Sequence, residues 1–253
     1  MEDPIIISSS DCIKELEKIN LLDFEKINII FNNFQKSSLL NDISLPESYI
    51  YRSISSTSAI LEYIKIKKIK VNRILYTSSG SVYGDNVFCK ETDITNPVNL
   101  HSSLKISNEK LIKMFCEENH IDYIIARVFN MYGANDTFSV ISRLHNSYKS
   151  NNIFNIINEG SSIRDFVHIN DVVKIYKILL GNKNVGVINI GTGFGVSIKN
   201  ILNFLKINKI NINTNNVKRD EISVSTADIS KLREFIINYQ FESINDYIIK
   251  ELT

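Results

Sequence analysis

His101, Lys105 and Glu109 follow one another at intervals of four in "HSSLKISNE" (101–109), with Pro97 four residues earlier. On a helix that interval puts the three side chains on one face. Histidine titrates near neutrality unaided and can serve as a general base. A lysine ammonium one turn away lowers its pKa and favours the neutral imidazole. The alternative for Lys105 is a solvated helix lysine paired with Glu109. A second set of polar groups, Ser78 and Ser79, closes the apolar run "RILYTSS" (73–79). In an open parallel sheet, ligands gather at the carboxyl ends of the strands. A hydroxyl there faces the crevice, although Ser79 could equally cap the strand end. Arg164 and Asp165 are adjacent, and a structural ion pair between them at a junction of lobes is one reading. His168 reads as a packed structural residue, and His120 and His145 as surface residues without a motif. Gly84 and "GTG" (191–193) read as turns.

The elements that must position these groups alternate in type. "PIIIS" (4–8), "INIIF" (27–31), "RILYTSS" and "YIIARVF" (123–129) are short apolar, β-branched runs, read as buried strands. Residues 56–70 and 102–119 have helical length and spacing, the second with Leu104, Asn108, Leu111 and Phe115 along one stripe. Strand and helix in alternation predict a parallel sheet covered by helices. Further helices are expected near 138–150, 171–180 and 243–252, with a strand at "GVINIG" (186–191). The fold expected is α/β: a Rossmann-like parallel sheet with a reduced N-terminal half and a small C-terminal substrate lobe. Residues 1–135, joined by 166–191, make the first domain, and 136–253 an interleaved lobe.

Composition excludes several classes of function. The 253 residues carry a net charge of +1 with Lys and Arg dispersed, which leaves no basic stripe for nucleic acid or a membrane surface. Cys12, Cys89 and Cys116 lie far apart and form neither a metal-ligand pattern nor a disulfide framework. No apolar stretch reaches membrane-spanning length, and no signal peptide is evident, so a cytoplasmic location is expected.

Five motifs follow in order: "LYTSSGSVYGD" (75–85), His101 with Lys105, "ARVFNMYG" (126–133), "GSSIRDFVHINDV" (160–172), and "NIGTG" (189–193) with "TADISKL" (226–232). From about residue 55 onward this set resembles the extended short-chain dehydrogenase/reductase superfamily, in its NAD-dependent nucleotide-sugar epimerase/dehydratase branch. The resemblance implies NAD or NADP as cofactor, a nucleotide-sugar as substrate, a homodimer formed through the helices at 56–70 and 102–119, and a place in polysaccharide biosynthesis. It implies that Ser79 hydrogen-bonds the reacting sugar oxygen and that Lys105 binds the nicotinamide ribose. His101 stands where the family has the proton-shuttling tyrosine. The resemblance further implies that Asn130 contacts the nucleotide-sugar and that Arg164 grips its diphosphate. A second phosphate-binding cation falls at Lys218 or Arg219, and "KRDEI" (218–222) does not choose between them. No metal is implied.

The N-terminal part departs from the pattern. The family's glycine-rich turn lets backbone amides reach the cofactor pyrophosphate. Here the first glycine is Gly80. With "PIIIS" as first strand, the glycine positions fall near Ser9, Cys12 and Glu15, where side chains crowd the phosphates. After "INIIF" the chain continues "NNFQKS" (32–37), where the family has small residues. Imidazole is also shorter than a phenol, so His101 reaches less far than a tyrosine. Two readings follow: an enzyme of sugar epimerisation, dehydration or keto-reduction, or a non-catalytic nucleotide-sugar-binding or partner-stabilising relative that has lost the cofactor site.

Overall fold

The structure, a computed structural model, describes residues 4–8, 11–19, 21, 24–32 and 44–252. The chain runs through α1 (Cys12–Glu17), β1 (Ile27–Phe31) and α2 (Pro46–Ile50), which continues through a π-helical turn (Tyr51–Ser55) into α3 (Ser56–Lys67). Then come β2 (Val71–Ser79), a 3-10 turn (Gly80–Tyr83), β3 (Phe88–Cys89), α4 (Leu100–Glu118), β4 (Asp122–Val128) and β5 (Asn130–Tyr132). The second half holds α5 (Val140–Lys149), β6 (Phe154–Ile157), β7 (Ile163–His168), α6 (Ile169–Leu180), β8 (Gly186–Ile190) and β9 (Gly195–Ser197). It ends with α7 (Ile198–Ile207), β10 (Thr214–Val217), β11 (Val224–Ala227), α8 (Ser230–Phe235) and α9 (Ile244–Leu252).

The main sheet is parallel, in the order β1-β2-β4-β8. Residues 73–78 of β2 are buried without a break, as a strand covered on both faces requires. Leu75 packs with Ile124, Ile188, Val172, Ile175 and Leu179 under α6. Its neighbours Ile74 and Tyr76 point the other way, onto Leu61, Ile64, Ile112 and Cys116 from α3 and α4. Each fully buried aliphatic side chain contributes roughly 1.5–3 kcal/mol, so two such layers lock β2 in register. A second sheet runs β3-β11-β7-β5, with β9 antiparallel on β7, while β6 pairs with β10. Phe154, Phe166, Ile141, Leu144, Ile201, Leu205 and Ile248 form the core of this lobe, beneath α5, α7 and α9. The parallel sheet and the helices expected near 138–150, 171–180 and 243–252 are present.

Three local expectations are corrected. "PIIIS" forms no strand: Ile5 and Ile6 are 58% and 88% exposed. Of the three glycine positions read from that strand, Cys12 and Glu15 lie on α1, and Ser9 is outside the described residues. The helix expected at 56–70 begins as early as Pro46 and stops at Lys67, where Lys68 turns left-handed (φ 53°) before β2. The most buried stripe of α4 is Ser102, Lys105, Asn108, Glu109, Ile112 and Cys116; of the expected stripe Asn108 lies on it, and Leu111 and Phe115 pack partly buried at its edge.

Arg164 does not pair with Asp165. The Asp165 carboxylate is fully buried and accepts bonds from Thr192 N (2.8 Å), Thr192 Oγ1 (2.7 Å), Gly193 N (2.9 Å) and Ala227 N (3.3 Å). Gly191 makes this approach possible, since a Cβ there would lie 2.6 Å from Asp165 Oδ2. His168 is structural: it is buried against Tyr132 and Tyr247, and Nδ1 accepts from Asn170 N at the start of α6. All three cysteines are buried and free. Among the described residues, no helix is long and apolar enough to cross a membrane, and no cluster could hold a metal.

Asp165→Ala leaves buried amides without an acceptor. It should lower stability by roughly 2–4 kcal/mol, read as a drop in the urea midpoint with an unchanged m-value.

Candidate functional site

β2 ends at Ser79, and the chain turns at once through the 3-10 segment Gly80–Tyr83. Ser79 Oγ accepts from Ser81 N (3.2 Å) and from Ser81 Oγ (3.0 Å). The side chain therefore caps the turn and also lines a cleft of about 410 Å³. Ser79, His101, Lys105, Asn130 and Arg164 all line this one cleft, brought there by β2, α4, β5 and β7. Both readings of Ser79 hold together, because capping uses its lone pairs while the hydroxyl stays at the crevice.

The floor of the cleft is a buried polar network. Glu109 accepts from Ser78 Oγ (2.5 Å), Arg127 Nε (3.1 Å) and Arg127 Nη2 (2.8 Å). Arg127 also lies 4.8 Å from the Tyr83 ring centroid, and the Tyr83 hydroxyl donates to Asn189. Burial alone would lower the Arg127 pKa, but the bonds and charge of Glu109 outweigh it and raise it, so the guanidinium stays charged. Glu109 is thus committed to Arg127 and Ser78, and the picture of a solvated Lys105–Glu109 pair is replaced. Lys105 is 4% exposed. Its Nζ donates to Thr77 O (2.7 Å) and sits 5.1 Å from the Tyr76 ring centroid. Burial pulls its pKa down to about 7, against a raising pull from Glu109. His101 is pushed down to about 4, first by burial and then by the Lys105 charge, so its imidazole is neutral at pH 7.

At the other end of the cleft, Arg164 donates to Ile163 O (2.8 Å) and Ile222 O (2.6 Å), and lies 3.4 Å from Glu221. Lys218 and Arg219 are exposed just beyond β10 and do not line the cleft. The backbone of Arg219 is fastened to the Asn158 side chain. The sequence reading missed Arg143 on α5, which does line the cleft. Ser78, read with Ser79 at the end of β2, lines the cleft itself, whereas the sequence reading also missed Arg127 beneath the cleft and Glu221 beside Arg164. Only their place in the fold distinguishes these from ordinary surface or core residues.

The described residues do not fit a complete dinucleotide. Such a ligand sits where the strand order of a parallel sheet reverses, with its pyrophosphate on a glycine-rich turn. The described strands of the main sheet add in one direction only, β1 to β8. Its first glycine, Gly80, follows the second of these strands. Lys105 stands at the nicotinamide-ribose position implied by the resemblance, with Nζ already bonded to Thr77 O.

Fold and cleft together define an open α/β protein with a ligand crevice at the carboxyl ends of a parallel sheet. The model of the NAD dependent epimerase/dehydratase family matches residues 7–191, and this chain belongs to that family. A putative UDP-glucose 4-epimerase from Methanocaldococcus jannaschii is 28% identical over 197 residues, covering 75% of this chain and 63% of the relative. An ADP-L-glycero-D-manno-heptose-6-epimerase from Brachyspira hyodysenteriae is 34% identical over 161 residues, covering 59% and 50%. The chain thus spans between half and two thirds of these two relatives' length. The UDP-glucuronic acid 4-epimerase from Bacillus cereus, solved with UDP-glucuronic acid and NAD, superposes with a TM-score of 0.80 at 24% identity, over 96% of this chain and 84% of that one. The UDP-glucose 4-epimerase from Thermotoga maritima, solved with UDP-glucose, gives 0.80 at 22% identity, over 97% and 81%.

Two predictions follow from this geometry. Arg127→Met leaves Glu109 buried without its charge partner and should cost roughly 3–5 kcal/mol, whereas Arg127→Met with Glu109→Leu should cost clearly less; a denaturation double-mutant cycle reads the difference. His101 has an ordinary pKa of 6.5, lowered to about 4 in the fold. Its unfolded form therefore binds more protons between those values, and stability contributed by His101 is present above 6.5 and lost as pH falls towards 4. Urea unfolding across that range should show a shallower acid loss in His101→Gln than in the wild type.

Proposed function

We propose that this chain binds a nucleotide-sugar along the cleft and handles protons on its sugar during epimerisation, dehydration or keto-reduction. The observation that carries the reading is the convergence of Ser79, His101, Lys105, Asn130 and Arg164 on a single cleft. The relatives named above support it, as does the similarity to a dTDP-D-glucose 4,6-dehydratase from Dictyostelium discoideum. The sugar lies at the Ser79 and His101 end, and the diphosphate at the Arg164 end. The neutral imidazole of His101 accepts a proton from a sugar hydroxyl, directly or through one water, since the ring is shorter than a phenol. The Ser79 hydroxyl holds the same oxygen in line. Burial, reinforced by the charge of Lys105, keeps His101 neutral, and Lys105 Nζ, anchored on Thr77 O, stabilises negative charge developing on that oxygen. Hydride transfer requires a dinucleotide whose cradle the described residues do not complete. The chain's own share of the chemistry is binding, orientation and proton transfer.

Isothermal titration with UDP-glucose, dTDP-glucose and an ADP-heptose, followed by a turnover assay with added NAD, tests this. Binding with turnover that is lost in Ser79→Ala is the expected result. Binding without turnover identifies the non-catalytic relative. Failure of all three ligands to bind overturns the proposal.

A further inference from the structure

We infer that Arg143 is the principal cationic contact for the diphosphate of the ligand, in the role the sequence assigned to Lys218 or Arg219. The inference rests on the nucleotide-sugar reading above and names the residue that supplies its charge.

The first argument is electrostatic. Arg164 is the expected diphosphate ligand, but its charge is already opposed. Glu221 stands 3.4 Å from Nη2, and two backbone carbonyls, Ile163 O and Ile222 O, take bonds from Nη1 and Nη2. Glu221 is itself held in place by Ser162 Oγ at 2.6 Å. The Arg164–Glu221 pair therefore brings a net charge near zero to that end of the cleft, whereas a diphosphate brings about two negative charges. Among the residues lining the cleft there is no Asp or Glu, and the cations are Lys105, Arg143 and Arg164. Lys105 belongs to the opposite, sugar end. Arg143 lines the same cleft as Arg164 and adds a positive charge that no lining carboxylate offsets.

The second argument is mechanical. Arg143 is exposed on α5, whose other side buries Ile141 and Leu144 in the lobe core. The start of α5 is fixed: Ser139 Oγ accepts from Ser142 N, and Asp136 Oδ1 accepts from Phe138 N and Ser139 N. Phe138, Ser139 and Val140 form the cleft wall next to Arg143. The backbone that carries Arg143 is therefore fixed beside the cleft, and a guanidinium there can grip phosphate oxygens bidentately. Lys218 and Arg219 lie outside the cleft, and the Arg219 backbone is tied to Asn158.

Isothermal titration with uridine diphosphate, at low and moderate salt, tests the inference. Arg143→Ala should weaken binding about ten- to hundredfold and flatten its salt dependence, while Arg143→Lys should recover part of the loss. Lys218→Ala with Arg219→Ala should bind within about twofold of the wild type, because neither faces the cleft. Glu221→Gln should strengthen binding severalfold by releasing the Arg164 charge. Thermal midpoints equal to the wild type establish that each variant is folded; Arg143 is exposed, so its replacement leaves the core intact. Wild-type affinity in Arg143→Ala, or a loss found only in the Lys218/Arg219 variant, overturns the inference. In that case the nucleotide-sugar reading still stands if Arg164→Ala abolishes binding. Absence of binding by the wild type to uridine diphosphate and to the three nucleotide-sugars overturns both.

Discussion

The Glu109 carboxylate, on α4, is bonded at once to Ser78 at the end of β2 and to Arg127 on β4. This contact sets the height and rotation of α4 over the sheet. His101 and Lys105 stand eight and four residues upstream on the same helical face, so their positions over the strand ends follow from it. Burying two opposite charges costs desolvation that their attraction only partly repays. The pair is therefore better understood as a geometric constraint than as a source of stability. An apolar pair of similar size could hold the layers together, but it would not orient the Ser78 hydroxyl or hold a negative charge one turn from Lys105.

Much of this architecture was legible as periodicity. β2 and β4 carry the short apolar runs Ile74–Tyr76 and Ile124–Ala126 at their buried centres, and α4, α5 and α9 have helical length and caps or spacing that survive in the structure. The failures have physical causes. "PIIIS" has the composition of a strand, but apolar residues form one only when a neighbouring strand pairs with them, and residues 4–8 remain irregular and largely exposed. The face of α4 was misjudged because hydrophobicity cannot reveal that Lys105 will find Thr77 O or that Glu109 will find Arg127. Such polar residues go inward only when partners far away in sequence meet them.

The site shows the same division. Ser79, His101, Lys105, Asn130 and Arg164 were readable because each lies in an ordered motif, and the fold brings them to one cleft. Lys218 and Arg219 were chosen by proximity to a motif; both are exposed after β10 and neither lines the cleft, although Ile222 does. Arg143 has no motif around it and becomes visible only when α5 is seen to wall the cleft. The cleft-lining motif residues thus follow local sequence closely. Strand order, which no single motif encodes, does not.

Asp165 gives the cleft its mechanical character. From β7 in the second sheet it binds the loop that leaves β8 of the main sheet, and also Ala227 on β11. Two layers that might swing about a hinge are instead riveted at a point sealed from water. Jaw-like closure would have to break several buried bonds together, which puts it among the costly openings of a protein rather than the easy ones. Opening at this seam is accordingly disfavoured. Any selectivity among ligands must come from what fits and what the walls can hold, not from which ligand best pulls the walls shut.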